Sequence, residues 1–214
     1  MSVLCTMAAF LFTLTFTSCG DDDDDDDSDA SAYEEETEGS INGYDYVDLG
    51  LSVKWATCNV GADSPEEYGD YYAWGETETK SSYNENNSET YDENIDDISG
   101  TDRDVAHVKW GGTWRMPTKD DFEELIDNCD YKWTTLNGVW GGRLTSNKNG
   151  NSIFLPATGF YEGKTLDDTG EYGYYWSSTP FTTEEARDLG FNSDGLEWSY
   201  SYRSDGQSVR PVSE

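Results

Sequence analysis

The sequence predicts an α+β fold with a mostly antiparallel sheet. Two segments near the middle, residues 102–110 and 118–129, begin with helix-capping residues and continue with apolar residues at helical spacing. Later residues form short runs rich in aromatic and β-branched side chains, separated by turn dipeptides. Strands, then two consecutive helices, then many strands are the order typical of an α+β domain.

The N-terminus has the pattern of an export signal. Residues 4–16 form a mostly apolar, uncharged run of thirteen residues. That run is shorter than the roughly 20 residues that span a bilayer, but it suits the apolar region of a signal peptide. Residues 16–20, Phe-Thr-Ser-Cys-Gly, resemble the lipobox of bacterial lipoproteins. We therefore predict a signal peptide over residues 1–18 and lipidation of Cys19, with an ordinary cleaved secretory signal as the alternative.

An acidic segment follows the cysteine. Residues 21–27 are seven consecutive aspartates, which repel one another and offer nothing to bury. We predict that residues 19–40 form a lipidated, disordered tether. An acidic run directly after a lipidated cysteine also resembles the signal that sends Bacteroidetes lipoproteins to the cell surface, so we expect an outer-membrane protein that faces the exterior.

The domain predicted over residues 41–214 begins with extended structure. Residues 44–60 place Leu51, Val53 and Trp55 on one face of a strand. Beyond residue 75 the chain is rich in Ser, Asn, Glu and Tyr, and we expect a long polar loop on the surface.

The two helices are predicted from their caps. Asp102 can begin the first helix, with Val105 and Val108 on its inner side, and Gly111 can end it. Thr118 and Asp121 approximate a capping box for the second helix. Its apolar residues then fall on one core-facing stripe, which consists of Phe122, Leu125, Ile126 and Cys129.

The rest of the chain predicts strands joined by tight turns. Four dipeptides that tolerate positive φ separate apolar runs, at residues 137–138, 149–150, 194–195 and 205–206. The best strands are residues 152–156, 173–177, 188–191, 196–202 and 208–212.

The net charge of the chain limits the classes of partner that the protein can bind. The chain has 45 acidic and 13 basic residues, and twelve of the acids lie in residues 20–40. Residues 41–214 therefore have a formal net charge of −20. Such a domain repels polyanions, so the sequence predicts no nucleic-acid binding and no contact with anionic membrane except through the lipid at Cys19.

Six runs resemble the Fibrobacter succinogenes major paralogous domain family, which is abundant in surface lipoproteins of gut Bacteroidetes. They include Trp-Gly-Gly-Thr-Trp-Arg-Met-Pro-Thr at residues 110–118 and Tyr-Trp-Ser-Ser-Thr at residues 175–179. The others are residues 47–62, 72–76, 149–157 and 208–212, and together they cover residues 44–212 in order.

The resemblance implies a C-type lectin-like fold with two helices on a twisted, mostly antiparallel sheet. That fold is shared with the variable proteins of diversity-generating retroelements, whose ligand-binding residues lie in the segment that corresponds to residues 179–207. The ligand-binding residues predicted here, in and beside that segment, are Trp176, Arg187, Asn192, Trp198, Tyr200, Tyr202 and Arg203.

Catalysis and metal binding have little support in the sequence. His107 is the one histidine, without an evident nucleophile or base beside it, and the cysteines form no Cys-x-x-Cys pair of the zinc type. We predict no enzyme, no metal and no cofactor. Arg115 is expected to pair with a buried carboxylate or carbonyl.

Cys58 and Cys129 leave two alternatives. In an oxidising compartment a disulfide between them would close a separation of 71 residues and stabilise the domain by about 4 kcal/mol. The other alternative is that both cysteines are buried free thiols.

The sequence predicts a non-catalytic surface lipoprotein that presents a ligand-binding domain for adhesion to, or recognition of, a glycan or a protein. The alternative is a structural or accessory component of an outer-membrane assembly without a small ligand.

Overall fold

The structure is a computed structural model in which residues 38–214 are described. The predicted signal peptide, the lipidation site at Cys19 and the seven aspartates lie outside the described residues. The first strand begins at Gly39, two residues before the predicted start of the domain. None of the helices in residues 38–214 has the length and apolar character needed to span a bilayer.

Thirteen strands and two α-helices make up the described chain, with one turn of 3₁₀ helix at Glu85–Asn87. The helices are α1 (Val105–Trp110) and α2 (Lys119–Asn128). The strands are β1 (Gly39–Ile41), β2 (Tyr44–Val47), β3 (Lys54–Ala56), β4 (Trp114–Arg115), β5 (Cys129–Leu136), β6 (Val139–Ser146), β7 (Ser152–Pro156), β8 (Phe160–Glu162), β9 (Thr165–Asp167), β10 (Gly173–Pro180), β11 (Glu185–Asn192), β12 (Gly195–Tyr202) and β13 (Val212–Ser213).

The fold-class prediction is wrong. Strands hold 41% of the described residues and helices only 11%, so the domain is mostly β. The strands form four antiparallel sheets, of five, three, three and two strands. Because α1 and α2 have six and ten residues, they extend only about 9 and 15 Å. They are too short to form a layer over a sheet, so the C-type lectin-like arrangement of helices on one twisted sheet is also not observed.

The five-stranded sheet joins the two ends of the domain. Its order is β1-β2-β3-β13-β4, so the C-terminal strand lies between two strands from much earlier in the chain. Val212 pairs with Trp55 on one side and with Arg115 on the other. The strand predicted over residues 208–212 is therefore wrong except at Val212, because β13 begins there and the preceding residues form no ladder, with only a single bridge from Ser208 to Tyr175.

The β5-β6-β7 sheet confirms the local signals of the sequence. Asn137 and Gly138 have φ of 50° and 84°, as the predicted hairpin turn requires. β7 has the predicted bounds. A side chain at Gly141 would lie 2.4 Å from the carbonyl oxygen of Leu155, so only glycine allows β6 and β7 to approach this closely.

The third sheet consists of β10, β11 and β12, each eight residues long. β11 lies in the middle, and β12 is an edge strand that pairs with β11 over its full length. The hairpin between them turns at Ser193 and Asp194, one residue earlier than the predicted Asp194-Gly195 dipeptide, because Gly195 pairs with Asn192 as the first residue of β12.

Both helices are present, with one error in each assignment. Asp104, rather than Asp102, caps α1, and Val108 is 49% exposed instead of facing the core. In α2 the capping box of Thr118 and Asp121 and the core-facing stripe are confirmed, with Ile126 packed against the core, but the helix ends at Asn128 and Cys129 begins the next strand. Arg115 pairs with the carboxylate of Asp121 at 2.7 Å, which confirms the expected partner.

Two large apolar clusters stabilise the described domain, and a small tyrosine-rich one lies beside them. The first packs the strand residues Trp55, Leu144 and Leu189 against Phe122 of α2. The second is rich in tryptophan and consists mainly of Trp74, Trp110, Trp114, Trp176, Tyr72 and Met116. The motif at residues 110–118 therefore supplies core residues.

Arg210 lies fully buried between the elements that enclose these clusters. Its Nε donates to Asn59 Oδ1 at 2.9 Å, and Nη1 donates to the carbonyls of Ala56 and Thr57 at 3.1 and 2.8 Å. Nη2 donates to the carbonyl of Phe154 at 3.0 Å. The charge is therefore solvated by backbone and amide oxygens, as a buried guanidinium requires.

Cys58 and Cys129 are free thiols in the structure. Cys58 lines a hollow of about 450 Å³ together with Leu136, at the far end of β5 from Cys129. Seven residues of strand separate the two ends of β5, roughly 23 Å, whereas the Cα atoms of a disulfide lie within about 7 Å.

Replacement of Arg210 by methionine should destabilise the domain strongly, because it removes the donor of four hydrogen bonds to buried oxygens. We expect the free energy of unfolding to fall by more than about 3 kcal/mol. Urea denaturation followed by tryptophan fluorescence measures it. Arg103→Met, at a less buried arginine, is the control and should change it by less than about 1 kcal/mol. Equal effects of the two substitutions would contradict the role given to Arg210.

The two thiols should differ in reactivity. Cys129 is 7% exposed, and burial together with the charge of Asp130 raises its pKa to about 11. Because the thiolate is the nucleophile, iodoacetamide at pH 8 should modify Cys58 first in the folded protein. After denaturation without reductant both should react. Peptide mapping that finds Cys58 and Cys129 linked would overturn this assignment.

Candidate ligand-binding surface

The seven predicted ligand-binding residues lie on the β10-β11-β12 sheet and in the turn directly after it. The structure divides them into three groups by burial. Two are fully buried, three are half-buried and two are exposed on one region of the sheet.

Trp176 and Arg203 are corrections to the predicted site. Trp176 is 0% exposed, and its indole nitrogen donates to the carbonyl of Tyr72 at 2.8 Å. Arg203 is 1% exposed and stacks on Trp74, with 4.4 Å from its Cζ to the ring centroid. Neither side chain can meet a ligand, because their polar atoms are already satisfied by backbone oxygens inside the domain.

Trp198 and Asn192 also have structural roles. Trp198 packs edge-on against Phe122 at 6.1 Å between ring centroids, beside the first apolar cluster. Asn192 Oδ1 accepts a hydrogen bond from the backbone of Asp194 at 2.7 Å and so fixes the β11–β12 turn. Both residues stabilise the sheet that presents the remaining three.

The exposed residues Phe181, Tyr200 and Tyr202 form a group together with half-buried Arg187. Arg187 and Tyr200 are direct partners across β11 and β12. Phe181 lies 4.7 Å from the ring of Tyr200, and Arg187 Cζ lies 4.0 Å from the centroid of Phe181. Phe181, Tyr200 and Tyr202 are 42%, 52% and 50% exposed. We call these four residues the aromatic surface.

The alternation of β12 explains why this surface is exposed. Leu196, Trp198, Tyr200 and Tyr202 lie on one face of the strand, since side chains alternate between faces. The first two reach the apolar cluster. Tyr200 and Tyr202 continue the same face beyond it, where no element of the described chain covers them.

Tyr91 borders the aromatic surface and is absent from the sequence prediction. Its ring centroid lies 6.4 Å from that of Tyr202. The backbone nitrogen of Asp92 donates to the carbonyl of Thr183 at 2.9 Å, which fastens this loop to the sheet. The sequence signals only a polar loop here, and nothing in its pattern indicates that the loop returns to β12.

Arg203 positions this border. Its Nη1 donates to the carbonyls of Thr90 and Glu93, at 3.0 and 2.9 Å, on either side of Tyr91. Its Nη2 donates to the carbonyl of Thr182, next to Phe181, at 2.5 Å. Burial lowers the pKa of Arg203. The residue predicted to bind a ligand instead holds two segments that flank the aromatic surface.

Neither the sequence nor the geometry points to a metal centre here. Within residues 38–214 no three His, Cys, Asp or Glu side chains are grouped so that they could hold a metal ion. The chemistry of the aromatic surface is stacking, cation–π contact and hydrogen bonding by the Tyr hydroxyls and the Arg187 guanidinium.

Comparison with known proteins gives one match. Residues 143–212, about a third of the chain, match the family described as Domain of unknown function (DUF8237). No curated protein and no solved structure matches the chain significantly. The matched segment begins in β6 and ends in β13, so it includes the sheet that presents the aromatic surface.

Proposed function

We propose that the protein is a non-catalytic recognition protein that binds a glycan or a protein partner through the aromatic surface. One observation supports this above all: the exposed rings of Phe181 and Tyr200 contact each other, and half-buried Arg187 stacks on Phe181 instead of forming an ion pair inside the described domain. Three exposed aromatic rings in one region are unusual for a surface without a partner.

The composition of the surface suits recognition. Phe and Tyr supply a large contact area with only two rotatable side-chain torsions each, so little entropy is lost on binding. Arg187 adds hydrogen-bond donors in a fixed fork, and its stacking on Phe181 holds that fork in place. The same rings could stack on the apolar face of a sugar or anchor a protein loop.

The proposed setting is the cell surface. The lipobox-like residues around Cys19 and the acidic run after it support export and anchoring at the outer membrane, with the domain facing the exterior. We also propose that residues 44–212 belong to the Fibrobacter succinogenes major paralogous domain family, on the six runs that resemble it. This proposal does not include the α+β fold class.

The double substitution Phe181→Ala with Tyr200→Ala should abolish binding on a glycan array or a surface-protein array, because it removes two mutually packed aromatic anchors. We expect at least a tenfold loss for a bound glycan or protein, since anchors of this kind contribute about 2 kcal/mol or more. Thermal unfolding should change little, because both rings are about half exposed.

Trp140→Ala is the matched control. Trp140 is 48% exposed and stacks on Trp133 in a different sheet. It should leave binding unchanged. Binding that survives the double substitution would contradict the proposed surface. A different result would favour a structural component instead. The protein would bind nothing on either array, and pull-downs from native membranes would recover a stoichiometric envelope partner whether or not these rings are present.

A further inference from the structure

A groove lies beside the edge strand β12, next to the aromatic surface. It consists of two adjoining hollows of about 480 and 500 Å³ that share Glu162, Tyr202 and Asp205. Phe160, Tyr174 and Ser201 line the first hollow, and Tyr83, Asn86 and Lys164 line part of the second. We call the whole the acid groove.

Two carboxylates meet in this groove because of strand register. Tyr161 and Gly206 form an antiparallel bridge, with backbone hydrogen bonds of 2.8 and 2.9 Å in the two directions. In an antiparallel pair the next two opposite residues are one later in one segment and one earlier in the other, which here are Glu162 and Asp205. Like charges opposite each other in an antiparallel pair destabilise it, so this pairing opposes folding unless something offsets it.

Asp205 is unusual among the acids of the domain. Its side chain lines both hollows although the residue is only 8% exposed. Burial, together with the charge of Glu162, raises its pKa to about 7, while the backbone at Tyr202 opposes that rise. The carboxylate is thus kept in a place where its ionised form is poorly stabilised.

No positive group of the described chain neutralises the pair. None of the ion pairs found in residues 38–214 includes Glu162 or Asp205. Lys164 lines the second hollow but forms no ion pair with either carboxylate. The groove is therefore a net negative site with space for a cation from outside.

The walls favour an organic cation over a metal ion. Phe160 and Tyr174 form an edge-to-face pair with centroids 5.3 Å apart, and Tyr83 and Tyr202 add two more rings. Aromatic faces attract ammonium groups. Calcium needs six to eight oxygen ligands, and no group of three or more acids, His or Cys in the described residues is arranged to hold a metal.

We propose that the acid groove binds a ligand through an aliphatic ammonium group, which lies against the carboxylates of Glu162 and Asp205 with its alkyl stem along the aromatic walls. The inference goes beyond the recognition surface, because Glu162, Asp205, Phe160 and Tyr174 are not part of that surface. The ammonium group could belong to a lysine side chain or to an amino sugar, and the two sources share this chemistry.

Binding should depend on pH through Asp205. The other charged groups that face the groove or act on Asp205 through space are Glu85, Asp167, Glu185, Asp188 and Lys164. A bound cation favours the ionised carboxylate. A lysine ammonium stays charged at both pH 6 and pH 8, so its binding should be tighter at pH 8 than at pH 6 and should release protons near pH 7.

The test uses the purified full-length protein and NMR titration with pairs of probes that differ only in charge. Nα-acetyl-lysine amide is compared with its Nε-acetylated form, and glucosamine with N-acetylglucosamine. We expect at least one amine to bind at least tenfold more tightly than its neutral twin, and the pair that shows the difference identifies the source of the ammonium group.

Asp205→Asn should weaken amine binding at least tenfold and remove its dependence on pH between 6 and 8. Glu162→Gln is a second variant at an exposed position, which keeps the test valid if Asp205→Asn does not fold. Asp130→Asn, at an exposed acid in β5, is the charge-matched control and should bind normally. Equal binding of amine and neutral probes, binding of neither, or full amine binding by both groove variants would overturn the proposal.

The variants also distinguish binding in the acid groove from binding at the aromatic surface. Phe181→Ala with Tyr200→Ala retains both carboxylates and should still bind the amine, although Tyr200 borders the groove. Asp205→Asn retains the aromatic surface and should still bind a partner found on the arrays. The pH dependence of stability gives an independent test. Because the pKa of Asp205 is raised from 3.8 to about 7 in the folded state, stability should fall as pH rises between these two values and should change little through this group above pH 7. Asp205→Asn should remove that part of the loss.

Discussion

The buried guanidinium of Arg210 is the interaction on which the rest of the domain depends. A charge removed from water must be surrounded by fixed oxygens, and here they come from residues 56–59 and from β7. Asn59, which accepts from Arg210, also donates to the hydroxyl of Tyr175 in β10. One side chain near the C-terminus thereby fixes the relative positions of three sheets, and β13 can pair between β3 and β4.

Arg203 repeats this principle at the aromatic surface. It uses backbone carbonyls of two separate segments, and these segments flank the exposed rings. Because the guanidinium fork is planar and rigid, it fixes both segments at once. The aromatic surface can therefore be preorganised although its own side chains are exposed and pack on little else. Stability inside the domain and geometry at its surface arise from the same kind of buried contact.

Local signals were predictable from the sequence, and long-range ones were not. The capping box of Thr118 and Asp121 and the turn at Asn137-Gly138 depend only on neighbouring residues, and the structure contains both. The division into four sheets depends on pairings between distant segments, such as Val212 with Trp55. The burial of Arg203 was also not predictable from the sequence. An arginine directly after Tyr200 and Tyr202 in a strand-rich segment has the pattern of a recognition surface, and the sequence does not signal the 90–93 loop whose carbonyls bury its side chain.

The net charge of −20 over residues 41–214 is unevenly distributed over the surface of the domain. Arg203 and Arg210 direct their charges at buried carbonyls, and Arg115 is paired with Asp121, so these three bases neutralise little of the exposed acidity. Along β12 the consequence is local. The aromatic surface contains Arg187 and is open to neutral or polar partners, whereas the adjacent groove opposes two carboxylates without a counter-ion. Because salt at about 0.1 M screens exposed charges over about 10 Å, the side chains nearest to a point on the surface decide the potential there, and the two regions differ in chemistry although the domain has one overall sign.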